Sequence, residues 1–216
     1  MSNFCSSSIG RKFFMSMSGL FLMVFLLMHM SINLFIIFDK TGGLYDEAVH
    51  FMGTNPLIKI MEPVLAIGFL VHIVWGFMIE LQNMKARPVK FSERKAAGSC
   101  ISRNMFILGA LILVFICLHM YQFLVPVKAA HFAGDETFSA FAMVVNTFQN
   151  PVFACLYVLA GVLVGLHITH GFWSAFQTIG FSNKVWERRL KCVAHLYAAI
   201  ITLGFCIIPI WVLLNF

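Results

Sequence analysis

Hydrophobic positions along this chain do not alternate with polar ones at the period of a half-buried strand or helix. They run on for stretches of about 20 residues, the length a helix needs to cross the hydrocarbon of a bilayer. Five such stretches cover residues 13–38, 56–81, 103–125, 151–181 and 192–214, with polar residues gathered in the gaps. The pattern predicts an all-α integral membrane bundle of five helices, one transmembrane domain over residues 1–216. Pro56 and Pro151 open the second and fourth stretches, where a missing N–H costs nothing, and Pro126 is expected to stop the third. The first stretch is too long for the apolar core of a secretory signal and no small-residue cleavage site follows it, so it reads as a span. Residues 43–55 and 134–149 mix aromatic side chains with Asp, Glu and His, and 138–148 is apolar but too short to cross. An interfacial helix capping one mouth of the bundle is expected there.

Composition narrows the class. Of 216 residues, 60% are hydrophobic and 11% charged, against about 45–50% and 25% for soluble domains, which excludes a soluble enzyme, a disordered chain and a disulfide-stapled module. Mean hydropathy is +0.88. Little length remains for a catalytic domain outside the membrane. The net charge of +6 does not point to nucleic acid, because the basic residues fall in short segments between spans. Arg11 and Lys12 precede span one; Lys85, Arg87, Lys90, Arg94, Lys95 and Arg103 lie between spans two and three; Lys184, Arg188, Arg189 and Lys191 lie between four and five. The opposite loops hold only Lys40, Lys59 and Lys128, together with Asp39, Asp46, Glu47, Glu62, Asp135 and Glu136. The positive-inside rule then places the N-terminus inside and the C-terminus outside. Cys5, Cys100, Cys117, Cys155, Cys192 and Cys206 form no CxxC or CxxCH, which leaves structural zinc, an iron–sulfur cluster and covalently attached haem without support. They read as buried thiols serving as small apolar residues.

Candidate chemistry lies in the histidines. Four of the eight stand deep within predicted spans, one on each of the first four: His29, His72, His119 and His167. Ionisable side chains at that depth are costly and mark functional positions. The plain alternative, a neutral imidazole bonded to a neighbouring helix, serves one histidine better than four. His29 lies 18 residues beyond Arg11 and His119 16 beyond Arg103, roughly 24–27 Å from the inner edge at 1.5 Å per residue. His72 and His167 each lie 16 residues beyond the proline opening their span, about 24 Å from the outer edge. Two pairs are expected: His29 with His119 in the outer half, His72 with His167 in the inner half. An upright haem with two axial imidazoles needs two histidines at one depth on facing helices. Such a haem has no open coordination position, so it carries electrons and does not bind oxygen.

The local sequences repeat. LMHM surrounds His29 and CLHM His119, with Gly19 and Gly109 each ten residues earlier. VHIVWGF surrounds His72 and LHITHGF His167, and Gly76 and Gly171 each follow their histidine by four residues. A glycine there either leaves room for a flat macrocycle or lets helices pack closely. His170 is the rival ligand on span four; the repeat aligns it with Trp75, so it is expected to bond a propionate or a carbonyl instead. Arg11, Lys12, Ser16, Arg103, Lys184 and Lys191 are candidate inner partners for propionates, though each basic one is more simply an inside anchor. Ser18 is only weakly marked. His195 is placed near the inner interface, and His50 and His131 in solvated outer loops.

Five spans, four intramembrane histidines, the opening SMSGLFLMVFLLMHM at residues 16–30 and LVHIVWGF in span two together form a pattern. Over essentially its whole length the chain resembles the cytochrome b membrane subunit of succinate dehydrogenase/fumarate reductase, of the single-subunit, two-haem type. The resemblance implies a cytoplasmic (inner) membrane location, with a flavoprotein subunit and an iron–sulfur subunit on the cytoplasmic face. It implies a proximal haem b on His72 and His167 and a distal haem b on His29 and His119. It further implies electron exchange with a membrane quinone, usually menaquinone, and a complex able to pair as a dimer of heterotrimers. No flavin or dicarboxylate motif is present, so those sites would belong to the partners. Some two-haem relatives carry an acidic residue beside the proximal ligand on span four; residues 161–176 contain no Asp or Glu, so a proton path through that helix is not expected.

Quinone chemistry needs a proton acceptor near a haem edge. Glu62, about one turn into span two, is the candidate, with Lys59, Tyr45 and His50 as neighbours; the plainer reading is a carboxylate paired with Lys59. An inner site near His195 and Arg103 stays open. So do two other functions: the haem b anchor of another quinone-linked dehydrogenase or hydrogenase, and a transporter with a histidine proton relay.

Overall fold

The fold is that of a computed structural model, which describes residues 7–86, 100–135, 137–181 and 183–216. Cys5, Arg87, Lys90, Arg94, Lys95, Glu136 and the side chain of Cys100 lie outside the described residues. Among the described residues every regular element is helical. Helix α1 (Ser8–Asn33) starts where the Ser7 hydroxyl accepts from the Gly10 N–H, and continues past Leu34 as α2 (Phe35–Phe38). A turn through Gly42, whose φ of 82° suits glycine, leads into α3 (Gly43–Thr54). Asn55 caps α4 (Pro56–Lys85). Then follow α5 (Cys100–Arg103), α6 (Met105–His119), a π turn (Met120–Leu124) and α7 (Val125–Ala133). Ser139 caps α8 (Ala140–Phe148), Asn150 caps α9 (Pro151–Thr178) and Asn183 caps α10 (Lys184–Asn215).

Five helical stretches are long and apolar enough to cross a membrane: Ile9–Phe38, Pro56–Lys85, Met105–Ala133, Pro151–Thr178 and Lys184–Asn215. Their outward faces are apolar too. On α4, Leu57, Ile60, Ile67 and Leu70 are each at least 60% exposed. A helix hydrophobic all round and bare of protein cover is built for lipid. The chain is a multi-pass membrane protein.

Two expected boundaries are corrected. Pro126 does not stop the third span; the helix runs through it to Ala133. A proline ring collides with the carbonyl four residues back. Here the Val125 N–H reaches five residues back to the Met120 carbonyl, and this widened π turn relieves the conflict. The fifth helix begins at Lys184, eight residues before the expected 192, because its charged first turns stay helical beyond the apolar length. The thiols are also corrected: Cys117, Cys155 and Cys192 are exposed on the bundle surface, and Cys206 is half-buried.

Within the bundle, α9 lies along α10. Gly161 and Gly165 of α9 face Cys206 and Thr202 of α10, so this pair closes on a small-residue seam. Helix α1 packs on α4 and α9; α6 packs on α9 and barely touches α4. The first four spans therefore form a square, with α1 and α6 on one diagonal and α4 and α9 on the other. Arg11, Lys12, Lys85, Arg103, Lys184 and Lys191 belong to the segments at one end of the bundle. The opposite end is capped by α3 and α8, whose Tyr45, Phe141, Val144 and Phe148 form one core with Ile36, Ile208 and Val212. The expected capping helix over 138–148 is α8, with Phe141, Val144, Val145 and Phe148 buried on one face and Ala142 and Asn146 exposed on the other. Asp46 of α3 ties the cap together by accepting from the Ser139 hydroxyl at 2.7 Å and the Phe141 N–H at 2.8 Å.

Candidate functional site

The two diagonals of the square carry the four histidines. Across the first, the ring centres of His29 (α1) and His119 (α6) are 5.7 Å apart, with ring planes at 84°. Across the second, those of His72 (α4) and His167 (α9) are 6.3 Å apart at 74°. The glycines ten residues before His29 and His119 explain the vertical order. A Cβ on Gly19 would stand 3.2 Å from His72 Cε1, and one on Gly109 3.6 Å from His167 Cε1. Each of these glycines thus makes room for an imidazole of the other pair. Ten residues of helix separate the two levels, about 15 Å. Gly76 and Gly171 face methionine methyls instead, Met15 Cε at 4.0 Å and Met23 Cε at 3.7 Å from an added Cβ.

The pair near the cap is set in aromatic rings. Phe25 stacks on His29 at 5.4 Å, and Phe205 lies 5.9 Å away. Phe115, Phe123 and Tyr157 lie 5.9, 5.4 and 5.9 Å from His119. Asn33, one turn past His29, donates to the His29 carbonyl at 2.7 Å, and its Nδ2 lies 3.4 Å from His29 Nδ1. The Tyr45 hydroxyl donates to Asn33 Oδ1 at 3.2 Å. Burial, with the Asp46 carboxylate beside it, holds the Tyr45 phenol above its ordinary pKa, so it remains a donor. Tyr157 donates to Gln122 of the π turn at 2.8 Å. At the other pair, His72 Nδ1 lies 3.3 Å from the Met15 carbonyl and 3.4 Å from the Ser18 hydroxyl.

Two imidazoles bound in line to one metal, each through a bond of about 2 Å, have ring centres about 6 Å apart. Both observed separations suit a single iron between the rings. Among the described residues, no group of three or more His, Cys, Asp and Glu could hold a metal ion. His119 Nδ1, His167 Nδ1 and Trp75 Nε1 are buried without a hydrogen-bond partner, a state native proteins rarely leave uncompensated. The residues fit a bis-imidazole group at each level.

The remaining candidates fall into place around these pairs. His170 packs on Trp173 with ring centres 5.6 Å apart, while the ring paired with His72 is that of His167. Lys191 pairs with Glu187 at 2.6 Å and sits 4.7 Å over the Trp173 ring. Arg11, Ser16 and Arg103 are half-buried near the basic end, and Lys12 is exposed there. His195, His50 and His131 are exposed. Glu62 pairs with Lys128 at 2.6 Å, not with Lys59, and Tyr45 is engaged with Asn33. An open cleft of about 570 Å³ lies beside the π turn, lined by Gln122, Asn146, Asn150, Met143, Phe138 and Phe153 among others. Sequence reasoning missed Asn33, Tyr157, Gln122 and Trp75. Asn33 at i+4 from His29 and the alignment of Trp75 with His170 were the available signals. No family model, no curated protein and no solved structure matches the chain.

Proposed function

We propose that the chain is a di-haem cytochrome b membrane subunit of a quinol:fumarate or succinate:quinone oxidoreductase in the cytoplasmic membrane. The observation that supports this reading is the pairing of four intramembrane imidazoles across the two diagonals of one bundle at two levels. Haem bound there would supply reversible one-electron transfer. His29 and His119 would hold the outer group, His72 and His167 the inner one. The phenyl rings around His29 and His119 would shield the outer group from water. At the outer mouth Glu62 would accept a proton from menaquinol, with the Lys128 ammonium holding its carboxylate in place. The amides of Gln122, Asn146 and Asn150 offer a second place for quinone carbonyls. The basic end would receive the iron–sulfur and flavoprotein subunits, which carry the dicarboxylate chemistry.

A redox difference spectrum with iron and haem analysis of the purified complex tests the reading. Two b-type haems per chain, together with a flavoprotein and an iron–sulfur protein, are expected. Absence of b-type bands would sink it. Two haems accompanied by a nickel or molybdenum enzyme would keep the cytochrome and replace its partners. Loss of quinol oxidation in Glu62→Gln but not in Gln122→Leu would select the first quinone position over the second.

A further inference from the structure

Of the three buried side-chain nitrogens without a partner among the described residues, two belong to candidate ligands and the third does not. An imidazole nitrogen can act as donor or acceptor, but the Trp75 indole N–H can only donate. A buried donor with nothing to bond is costly, so an acceptor is expected beside it when the protein is complete. Trp75 lies three residues past His72 on α4, on the same helix face and about 4.5 Å nearer the basic end. Its ring meets Phe14 of α1 edge-on, with centres 6.5 Å apart. Phe14 lies one turn before Ser18, whose hydroxyl stands 3.4 Å from His72 Nδ1. The indole therefore sits in the seam between α1 and α4, next to the His72–His167 level and displaced from it toward the basic end.

Resting on the two-haem reading, we propose that the Trp75 indole N–H donates a hydrogen bond to a carboxylate of the porphyrin held by His72 and His167. The four ring nitrogens of an iron porphyrin are committed to the metal. Its strong acceptors are the two propionate carboxylates at the rim. With the carboxylates turned toward the basic end, Arg11, Lys12, Arg103 and Lys191 lie on the side toward which they point. Those cations sit near the membrane edge, whereas Trp75 reaches the group from within the bundle. It needs no counter-charge of its own to enter a dry site. Trp75 is thus a positioning residue that fixes which way up the macrocycle enters.

Trp75→Phe keeps an aromatic ring and deletes the donor. In the full complex, both haems are expected to stay bound in this variant. The midpoint potential of the haem that disappears in His72→Ala should move to a more negative value, because a carboxylate relieved of its donor favours the ferric iron. The other haem should not move. Ultraviolet resonance Raman supplies a readout independent of turnover. One of the four tryptophans should show a hydrogen-bonded indole N–H in haem-loaded but not haem-free protein, and that difference should vanish in Trp75→Phe. If Trp75→Phe loses the inner haem, Trp75→His, which restores a ring N–H, should recover it. Loss in both variants, or an unchanged or raised potential in Trp75→Phe, overturns the assignment while leaving two haems in the wild type. A wild-type preparation without b-type bands removes the two-haem reading and this one together.

Discussion

The four intramembrane imidazoles differ in what stands behind them. His72 Nδ1 looks toward two acceptors, the Met15 carbonyl and the Ser18 hydroxyl. A proton on Nδ1 suits them and leaves the Nε2 lone pair free for a metal. His29 Nδ1 instead meets the Asn33 amide nitrogen, a donor. The same amide nitrogen donates to the His29 carbonyl at 2.7 Å, so Asn33 is held by the backbone and by Tyr45 rather than by the ring. Replacing either histidine of a pair should remove one and the same haem. His29→Ala and His119→Ala should delete one spectral component, and His72→Ala and His167→Ala the other. If His29→Ala and His72→Ala removed the same component, the pairing would be wrong. Ser18→Ala should weaken haem retention at the His72–His167 level by about 10-fold, the scale of a lost partner behind a ligand. Haem titration of the stripped protein would read this out, and the other level should stay unchanged.

Helices rather than side chains set the next tier of behaviour. The α9–α10 seam is closed by Gly165 against Thr202, where any added Cβ would run into the threonine hydroxyl. Thr is stiff at χ1, so the helices must part. Gly165→Leu should cost about 1–3 kcal/mol, the range for overpacking, visible as a lowered thermal midpoint in detergent. Asp46→Ala should leave the Phe141 N–H and Ser139 hydroxyl without their shared acceptor and loosen α8 by about 2 kcal/mol. Hydrogen exchange at 140–148 should accelerate while both histidine levels persist. The turn into α3 carries a pH dependence. Asp39 is held below the usual carboxylate range by the Thr41 hydroxyl first, then by the backbone N–H groups of Leu44, Thr41 and Gly43. A depressed pKa means the folded turn binds fewer protons than the unfolded chain. Its contribution is full above the ordinary carboxylate pKa and is lost as pH falls through the lower folded value. Amide exchange at Thr41 and Leu44 should therefore speed up only in that acidic window.

At the scale of the molecule, two histidine levels about 15 Å apart form a column from cap to basic end. The cap closes one mouth with buried apolar residues and the Asp46 tie. With the basic end inside, a cysteine at His131 should react with an impermeant maleimide in right-side-out vesicles, and one at Lys184 only in inverted ones. The reverse labelling would turn the assignment of faces over.

Number and course of the spans, and the level of each histidine, were determined by the sequence alone. Apolar length and a rise of 1.5 Å per residue are local properties, so counting from Arg11, Pro56, Arg103 and Pro151 suffices to set depth. Helix ends were less legible. The α10 start at Lys184 and the passage of α7 through Pro126 depend on charged turns and a π turn that hydropathy does not record. Only the tertiary structure decided that α1 faces α6 and α4 faces α9 across the square. It also decided that Gly19 and Gly109 make room for the other pair's imidazoles, that Glu62 pairs with Lys128, and that Trp75 is left with a buried, unanswered N–H. Each of these joins residues far apart in the chain, and such contacts are set by how whole helices pack rather than by any local preference.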